Sequence, residues 1–400
     1  MTINVIAFNK REKSMKTILL VSKDEVFTDY FTKRMDENQY RLITRDDENL
    51  AMNCLKMEET DLVVVDVSIG NFNESLIERI QSEFPGVIRM SVTDLKTTSE
   101  NHMPAFEGIS QLNCNKAHSS GEIWQLISKV FEIEGKVKNK ELLSLMSTMK
   151  NIPTLPDVYF NLSHMIRNNA SVEDIAEKLE SDPAITSNIL KLANTAFYNA
   201  KTGSIRQAIM YIGLVNVKHI ILSNAVFGND GLDPKIRDIH WQHVGLTNKI
   251  LGAMYLELLG KKLNTNIASI GLLHDIGSVV LMSNFPKAFD EVVKLVSSDK
   301  KLCFVETEKR IIGFSHEELG GYLLDLWGLP YPMIEAALMH HDPLSPDIIN
   351  KELVMAVHVA NYYAWKAMDY TKYDNFINRD VLHELGITQT AFDEFYVNLT

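Results

Sequence analysis

Cysteine is scarce in this 400-residue chain: only Cys54, Cys114 and Cys303 occur, far apart from one another. Three scattered cysteines are not the pattern of a disulfide framework, so we expect free thiols in a reducing compartment. Long apolar runs are also missing, because Lys, Asp, Asn or His interrupts each one before it reaches membrane-spanning length. The sequence therefore predicts a cytoplasmic protein that does not enter the membrane.

Positive charge is in deficit as well, since the formal net charge is −12. Such a balance disfavours a protein whose main role is to bind nucleic acid phosphates. The sequence contains no P-loop, nucleophile elbow or dinucleotide-binding fingerprint, which removes several easily recognised enzyme classes. Residues 1–15 lack the apolar core of a signal peptide, and we expect them to form a loose leader.

The first third of the chain alternates between short apolar strands and helical stretches. Strands separated by helices predict a doubly wound parallel sheet, here a five-stranded α/β domain over residues 16–135. The predicted strands are 18–21, 40–44, 61–67, 87–92 and a weak one near 109–112, and the predicted helices are 25–36, 50–57, 76–83 and 123–131. Such sheets carry functional residues at the carboxyl ends of their strands, where Asp66 lies.

With this pattern, residues 16–135 resemble the receiver domain of response regulators, which has a flavodoxin-like fold. Asp66 falls at the position of the phospho-accepting aspartate of that family. Ser91, near the end of the fourth strand, matches the family's hydroxyl residue, and Lys116 matches its invariant lysine. The resemblance implies a phosphorylation site at Asp66, supported by Ser91 and Lys116.

The same segment departs from the receiver pattern at its magnesium site. The acidic pair that follows the first strand in that family is Ser22-Lys23 here, and only Asp24 remains nearby. A carboxylate attacks a phosphoryl group only when a metal neutralises the converging charge. Magnesium binding is therefore doubtful, and we expect Asp66 to be a poor phosphate acceptor. A role as a strand-end cap or docking surface is the alternative.

The rest of the chain is predicted to be helical, because no convincing strand pattern follows the first third. We expect a linker helix over 136–150, an all-α domain over 151–370 and a helical tail over 371–400. Ile152-Pro-Thr-Leu-Pro156 marks the start of the new domain. The main predicted helices are 219–227, 238–258, 267–282, 287–297, 316–326, 332–340 and 351–366.

The stretch IASIGLLHDIGSVVLM, residues 267–282, carries His274 and Asp275 inside an apolar run. As a single helix it buries the imidazole of His274 and leaves Asp275 at the edge of the same face. A buried aspartate is costly unless it is paired, hydrogen-bonded or bound to a metal. The pair therefore indicates either a structural polar cluster or a metal site, and a lone buried histidine is more often the former.

Other histidines occur on separate predicted helices. His243 points inward from 238–258, His316 opens the helix at 316–326, and His340-His341 ends the helix at 332–340. Asn361 lies on the inner face of the last long helix. Imidazoles and carboxylates that converge from several helices are how bundles build metal sites. This donor set suits iron, manganese or zinc better than calcium.

The ordered histidines resemble the HD superfamily of metal-dependent phosphohydrolases, and the helical domain resembles its HDOD branch, found in bacterial signalling proteins. The motifs that carry the resemblance are IPTLPDV, ESDPAITSNILKLANTAFYN, SIRQAIMYIGLVNVK, LLHDIGSVVL, GFSHEELGGYLLDLWGLP and the HH of MHHDPLSP. In active relatives, including the HD-GYP phosphodiesterases of cyclic di-GMP, the final metal ligand is an aspartate, and Asn361 stands there in this chain. The resemblance implies metal ligands at His243, His274, Asp275, His316, His340, His341 and Asn361.

Two further departures bear on catalysis. The lysine that follows HD-x-x-G in HD-GYP enzymes is Ser278, and no GYP follows the paired histidines. An amide in place of a carboxylate weakens a metal site, and the missing lysine removes a contact to phosphate. We therefore expect metal binding to survive more easily than phosphodiester hydrolysis.

The combined prediction is a bacterial signal-transduction regulator in which a degenerate receiver domain controls a non-catalytic HDOD protein-interaction domain. The resemblances imply two-component or cyclic di-GMP signalling, with signalling proteins as partners, such as a sensor histidine kinase or a cyclic di-GMP enzyme. A homodimer is compatible with this organisation. The alternative is a metal-dependent phosphohydrolase that acts on a cyclic dinucleotide or another nucleotide.

Overall fold

The structure, a computed structural model, divides into two compact units with a boundary after Ser128. It describes residues 15–68, 72, 74–84, 86–94, 110, 112–137, 142, 149, 157–167, 170–194, 200–214, 216–218, 220–221, 233–264, 267–299, 302–370 and 377–399. Nearly all of the predicted leader, most of the predicted linker helix and most of the predicted helix at 219–227 lie outside these residues. Within the described ranges, no helix combines the length and the apolar character that a membrane crossing requires.

The first unit contains the predicted doubly wound sheet, which is confirmed. Its five strands are all parallel and lie in the order β2-β1-β3-β4-β5, the order of flavodoxin-like folds. The strands are β1 Lys16–Val21, β2 Tyr40–Arg45, β3 Leu62–Asp66, β4 Ile88–Thr93 and β5 Leu112–Asn115. The helices are α1 Glu25–Thr32, α2 Glu48–Met57 and α3 Glu74–Glu83, together with α4 Ser120–Val137, which begins in this unit and continues past the boundary.

The central strands are buried along their whole length, as expected for a parallel sheet covered on both faces. All residues of β3 and β4 are buried, and Val63 and Val65 are completely inaccessible to solvent. The fifth strand lies a few residues later than predicted, at Leu112–Asn115 rather than 109–112. Its short LNCN sequence gives little strand signal, which explains the misplaced prediction.

The second unit is helical, as predicted, and no strand occurs among its described residues. Its helices are α5 Asp157–Arg167, α6 Val172–Glu180, α7 Pro183–Ala193, α8 Ile205–Ile212, α9 Pro234–Ala253, α10 Ile270–Leu273, α11 Ile276–Asn284, α12 Pro286–Ser298, α13 Phe304–Ile311, α14 His316–Leu326, α15 Tyr331–Met339, α16 Lys351–Ala367, α17 Asp380–Glu384 and α18 Gln389–Leu399. A π-helical turn at Met254–Leu258 continues α9.

The prediction of one continuous helix over 267–282 is wrong. The chain forms α10 and α11 with a turn between them, and the turn consists of His274 and Asp275. The backbone of Asp275, at φ −109° and ψ 21°, departs from helical geometry. The break occurs at the polar pair, so both side chains lie at the junction of two helices rather than in the middle of one.

Glycines set how closely α10 and α11 approach the helices that carry the other histidines. A Cβ atom on Gly271 would lie 2.5 Å from the Cα of Asn248 in α9. A Cβ atom on Gly277 would overlap the carbonyl oxygen of His316 and lie 2.7 Å from the nitrogen of Gly320, both in α14. Only glycine permits these contacts. Gly271 and Gly277 therefore allow the turn formed by His274 and Asp275 to pack closely between α9 and α14.

Candidate functional site

Three of the four residues predicted from the receiver resemblance meet at the carboxyl edge of the sheet. Asp66 ends β3 and is completely buried, and Lys116 follows β5. The Lys116 Nζ atom lies 2.7 Å from Asp66 Oδ2 and 2.8 Å from Asp24 Oδ2. Burial by itself would lower the pKa of Lys116, but the two carboxylates outweigh it and raise that pKa. The hydrogen bond from Lys116 lowers the pKa of Asp24.

Two serines that the sequence analysis did not select complete the surroundings of Asp66. The Ser22 hydroxyl donates to Oδ2 at 2.7 Å, while the Ser68 backbone N–H and hydroxyl donate to Oδ1 at 3.1 and 2.7 Å. An ionised carboxylate offers about four lone-pair sites. Lys116 and these three donors therefore use the full hydrogen-bonding capacity of Asp66.

Ser91 does not join this cluster. The register of the parallel strands pairs Ser91 with Asn113 of β5 and pairs Asp66 with Val92. The Ser91 hydroxyl accordingly hydrogen-bonds the side-chain oxygen of Asn113. A register can be obtained only from the assembled sheet, which is why the sequence suggested a different neighbour.

The seven residues predicted from the HDOD resemblance lie together in the second unit. The potential ligand atoms of His316, His340 and His341 are within 4.8 Å of one another, and those of His243, His274 and Asp275 form a second such group. The two groups adjoin, because the rings of His274 and His340 are 5.1 Å apart. Asn361 completes the set, since its side-chain oxygen lies 3.2 Å from His274 Nε2. We call this set the histidine pocket.

Two imidazoles in the histidine pocket are held in the same way. The Nδ1–H of His274 donates to the carbonyl oxygen of Gly271 at 3.0 Å, and the Nδ1–H of His340 donates to that of Ala337 at 3.0 Å. A carbonyl oxygen can only accept, so Nδ1 must carry the proton in both rings. The Nε2 atoms are thus left facing the pocket, which is the arrangement of metal-ligating histidines.

His316 reaches the same orientation with a carboxylate partner. Its Nδ1 lies 2.6 Å from Oε2 of Glu308, and its Nε2 lies 3.8 Å from Oδ1 of Asp275. Burial works against a charged ring, but the carboxylate of Glu308, helped by Asp275 and Glu317, raises the pKa of His316 to about 10. Nε2 therefore carries a proton until a metal ion displaces it.

Burial lowers the pKa of the other four predicted imidazoles, so these rings are neutral at pH 7. The four are His243, His274, His340 and His341. Neutral imidazoles are the form that binds metals. His243 also stacks on Trp365, with ring centroids 3.7 Å apart and planes inclined by 7°.

Whether a metal fits the histidine pocket can be judged from the buried nitrogen atoms that have no hydrogen-bond partner. Among the described residues, Nε2 of His316, Nε2 of His340 and Nδ1 of His243 are buried and accept or donate no hydrogen bond. Leaving such atoms unpaired is costly unless something else occupies them. A transition metal is a suitable occupant for several imidazole nitrogens beside one carboxylate, so the residues fit the metal that the resemblance implies.

His358 shows how a structural histidine differs from the candidate metal ligands. Its Nδ1–H donates to the carbonyl oxygen of His340 at 2.8 Å, and its Nε2 accepts from the backbone N–H of Asn378 at 3.0 Å. Both ring nitrogens are used, so His358 is a core histidine that supports His340 rather than a ligand.

The sequence analysis missed two buried carboxylates beside the histidines. Glu308 hydrogen-bonds His316, and Oε1 of Glu317 accepts the backbone N–H of His341 at 3.0 Å. Burial raises the pKa of both, that of Glu317 to about 8. Glu317 follows a candidate ligand directly, which was a usable signal. Glu308 lies in FVETEKRI, where it resembles a surface charge.

Beside Asp275, His316, His341 and Asn361 lies a cavity of about 10 Å³, counted as the space open to the centre of a water molecule. That space suits about one water molecule or ion. The residues that line it are His240, Asp275, Ser278, Phe289, Phe304, His316, His341, Asn361 and Trp365. No lysine or arginine occurs among these lining residues.

Comparisons with known proteins identify one domain of the chain. Residues 152–343 match the model of the HDOD domain, which confirms the HDOD resemblance for that part of the chain. The match does not extend to the flavodoxin-like sheet. An uncharacterized protein from Treponema pallidum (strain Nichols) is 25% identical over 228 residues, which are 54% of this chain and 43% of that protein. The chain thus spans less than half the length of this curated relative.

Solved structures that are similar to this chain include the following two. An HDOD domain protein of unknown function from Geobacter sulfurreducens is 24% identical, and the match covers 67% of this chain and 98% of that one with a TM-score of 0.48. A protein from Marinobacter aquaeolei VT8 that is named for signal transduction is 17% identical, and the match covers 82% of each chain with a TM-score of 0.50. At 17% identity the second likeness is one of fold alone.

Proposed function

We propose that this protein is a bacterial signalling regulator whose histidine pocket binds a transition metal for a structural or regulatory purpose rather than for hydrolysis. The observation that carries the proposal is the orientation of His274, His316 and His340. Each has its Nδ1–H bound to an oxygen, and each presents Nε2 to the same pocket. Iron, manganese or zinc is the expected class of ion, because the donors are mostly imidazoles.

His316, His340, His341 and Asp275 would hold the metal, with His243, His274 and Asn361 beside them. These residues come from five places in the fold, namely α9, the turn between α10 and α11, α14, the residues after α15, and α16. An ion held by the first four residues would therefore tie together the turn between α10 and α11, α14 and the residues after α15. When bound, it would also supply a Lewis acid that can lower the pKa of a water molecule.

The same pocket is poorly equipped to hydrolyse a phosphodiester. A cavity of about 10 Å³ has no room for a nucleotide beside the histidines. Ser278 stands where HD-GYP enzymes have a lysine, and its hydroxyl donates to Asp275 at 2.5 Å. Developing charge on a phosphate would thus meet no lysine or arginine among the cavity-lining side chains.

For the first unit we propose a receiver-derived module that works without phosphorylation. Asp66 is completely buried, and its carboxylate oxygens are already hydrogen-bonded to Lys116, Ser22 and Ser68. Ser22 places a hydroxyl where a receiver has a magnesium-binding carboxylate. In this proposal the module and the HDOD domain act by binding signalling proteins, with two-component or cyclic di-GMP signalling as the context.

The test combines elemental analysis of the purified full chain with a hydrolysis assay. The assay uses cyclic di-GMP as the probe, in the presence of iron or manganese. We expect a transition metal in the wild-type protein, less of it in His316→Ala, and no turnover by either protein. Turnover that His316→Ala abolishes would instead establish the phosphohydrolase. Absence of any metal, even after incubation with excess ion, would contradict the metal-binding proposal.

A further inference from the structure

Glu308 is a buried carboxylate whose surroundings single it out. It lies in α13 with no exposed surface, and its Oε2 accepts the backbone N–H of His316 at 3.0 Å while also lying 2.6 Å from that residue's Nδ1. Its other oxygen, Oε1, has no hydrogen-bond partner among the described residues. Burying a carboxylate costs several kcal/mol unless its interactions compensate. The question is therefore what Glu308 does that offsets this cost.

Capping of α14 is only part of the answer, because that helix also has a cap of its own. The Ser315 hydroxyl accepts the backbone N–H of Glu318, and the Glu318 carboxylate accepts the backbone N–H of Ser315. This capping box satisfies the start of the helix from within α14 and its cap residue. Glu308 adds an acceptor for the backbone N–H of His316, but this bond does not account for its contact with the imidazole.

The position of His316 in its helix provides that explanation. His274 and His340 each follow a turn of helix, and each donates its Nδ1–H to the carbonyl oxygen three residues earlier. His316 is the first residue of α14, so no preceding helical turn offers it such a carbonyl. Glu308, which comes from a different helix, supplies the missing acceptor.

We propose that Glu308 is a positioning residue that holds the imidazole of His316 with Nδ1 protonated and Nε2 directed at a metal ion shared with His340 and His341. This inference rests on the proposed metal binding and adds a named residue to it. An acidic hydrogen-bond partner makes a ligating imidazole a better donor, and loss of such a partner typically lowers metal affinity 10–100-fold. Glu308 thus sets the affinity of the histidine pocket without touching the ion.

The test is a Co²⁺ titration of the chelator-treated full chain, in competition with a chromophoric chelator. It compares the wild type with Glu308→Gln, which keeps the shape and removes the charge, and with Glu308→Asp, which keeps the charge on a shorter side chain. Glu306→Gln is the matched control, because Glu306 is exposed on the same helix. We expect about a 10–100-fold loss of affinity in Glu308→Gln, partial recovery in Glu308→Asp and no change in Glu306→Gln.

A double variant separates positioning from a structural role. Metal-free Glu308→Gln should unfold below the wild type, because the buried imidazolium of His316 loses its carboxylate, but the effect on Co²⁺ affinity should act only through His316. The double variant Glu308→Gln/His316→Ala should therefore bind Co²⁺ no more weakly than His316→Ala. Co²⁺ affinity within twofold of wild type in Glu308→Gln, or a further loss of affinity in the double variant, would overturn the role of Glu308. Failure of the wild type to bind Co²⁺, or wild-type affinity in His316→Ala, would refute the proposed metal site itself.

Discussion

Replacement of Gly277 by alanine should damage the second unit, although alanine is the better helix former. A Cβ atom at this position would overlap the backbone oxygen of His316 and lie 2.9 Å from its carbonyl carbon. These are main-chain atoms of another helix, so no side-chain rotation relieves the overlap. Overpacking typically costs about 1–3 kcal/mol, and an overlap with main-chain atoms lies at the upper end of that range. The gain in helix propensity is about 1 kcal/mol. We expect a net loss of about 2 kcal/mol.

Gly252→Ala is the matched control for this prediction. Gly252 also lies in a helix, α9, but a Cβ atom there would have no neighbour within 4 Å. The same substitution should therefore stabilise the protein by up to about 1 kcal/mol. Thermal unfolding of the full chain, monitored by circular dichroism, distinguishes the two, since about 1 kcal/mol shifts the midpoint by roughly 2–4 °C. Equal midpoints for the two variants would refute the proposed close contact between α11 and α14.

Three further predictions address both units. Incubation with a small phosphodonor and magnesium should leave the protein mass unchanged; an efficient mass increase that Asp66→Ala removes would show that the buried Asp66 is accessible after all. Lys116→Met should destabilise the first unit by about 3 kcal/mol in a urea titration, because it leaves Asp66 buried without its cation; an unchanged midpoint would contradict the ion pair. Burial lowers the pKa of His358 to about 4, below its value in the unfolded chain, so the unfolded state takes up the proton first and stability falls by roughly 3 kcal/mol between pH 6.5 and 4. His358→Gln should make that decline less steep in urea unfolding at several pH values, because only the other buried imidazoles then contribute, and an equally steep decline would show that His358 does not contribute.

The elements that the sequence predicted well are those with strong local signals. The run of valines in Leu62–Asp66 indicates a strand buried on both faces, and such a strand forms. Ser315 followed three residues later by Glu318 is a capping-box pattern, and α14 begins there as predicted. Local chemistry decides these features, so they can be inferred without the assembled structure.

The features that the sequence did not predict depend on contacts between distant segments. The apolar run around His274 has no proline, and the turn there forms where α10 and α11 pack against different helices. The neighbours of Ser91 depend on strand register. Glu308 lies in a charged segment, and its burial beside His316 follows from the packing of α13 and α14. Tertiary packing determines each of these outcomes.

The histidine pocket as a metal site is the central claim, and an anomalous difference map tests it most directly. Crystals of the full chain grown with Zn²⁺ or Mn²⁺ would be measured at the absorption edge of that metal. We predict a peak between Nε2 of His316, Nε2 of His340 and the carboxylate of Asp275. A map without a peak there, or with peaks only at surface carboxylates, would contradict the claim.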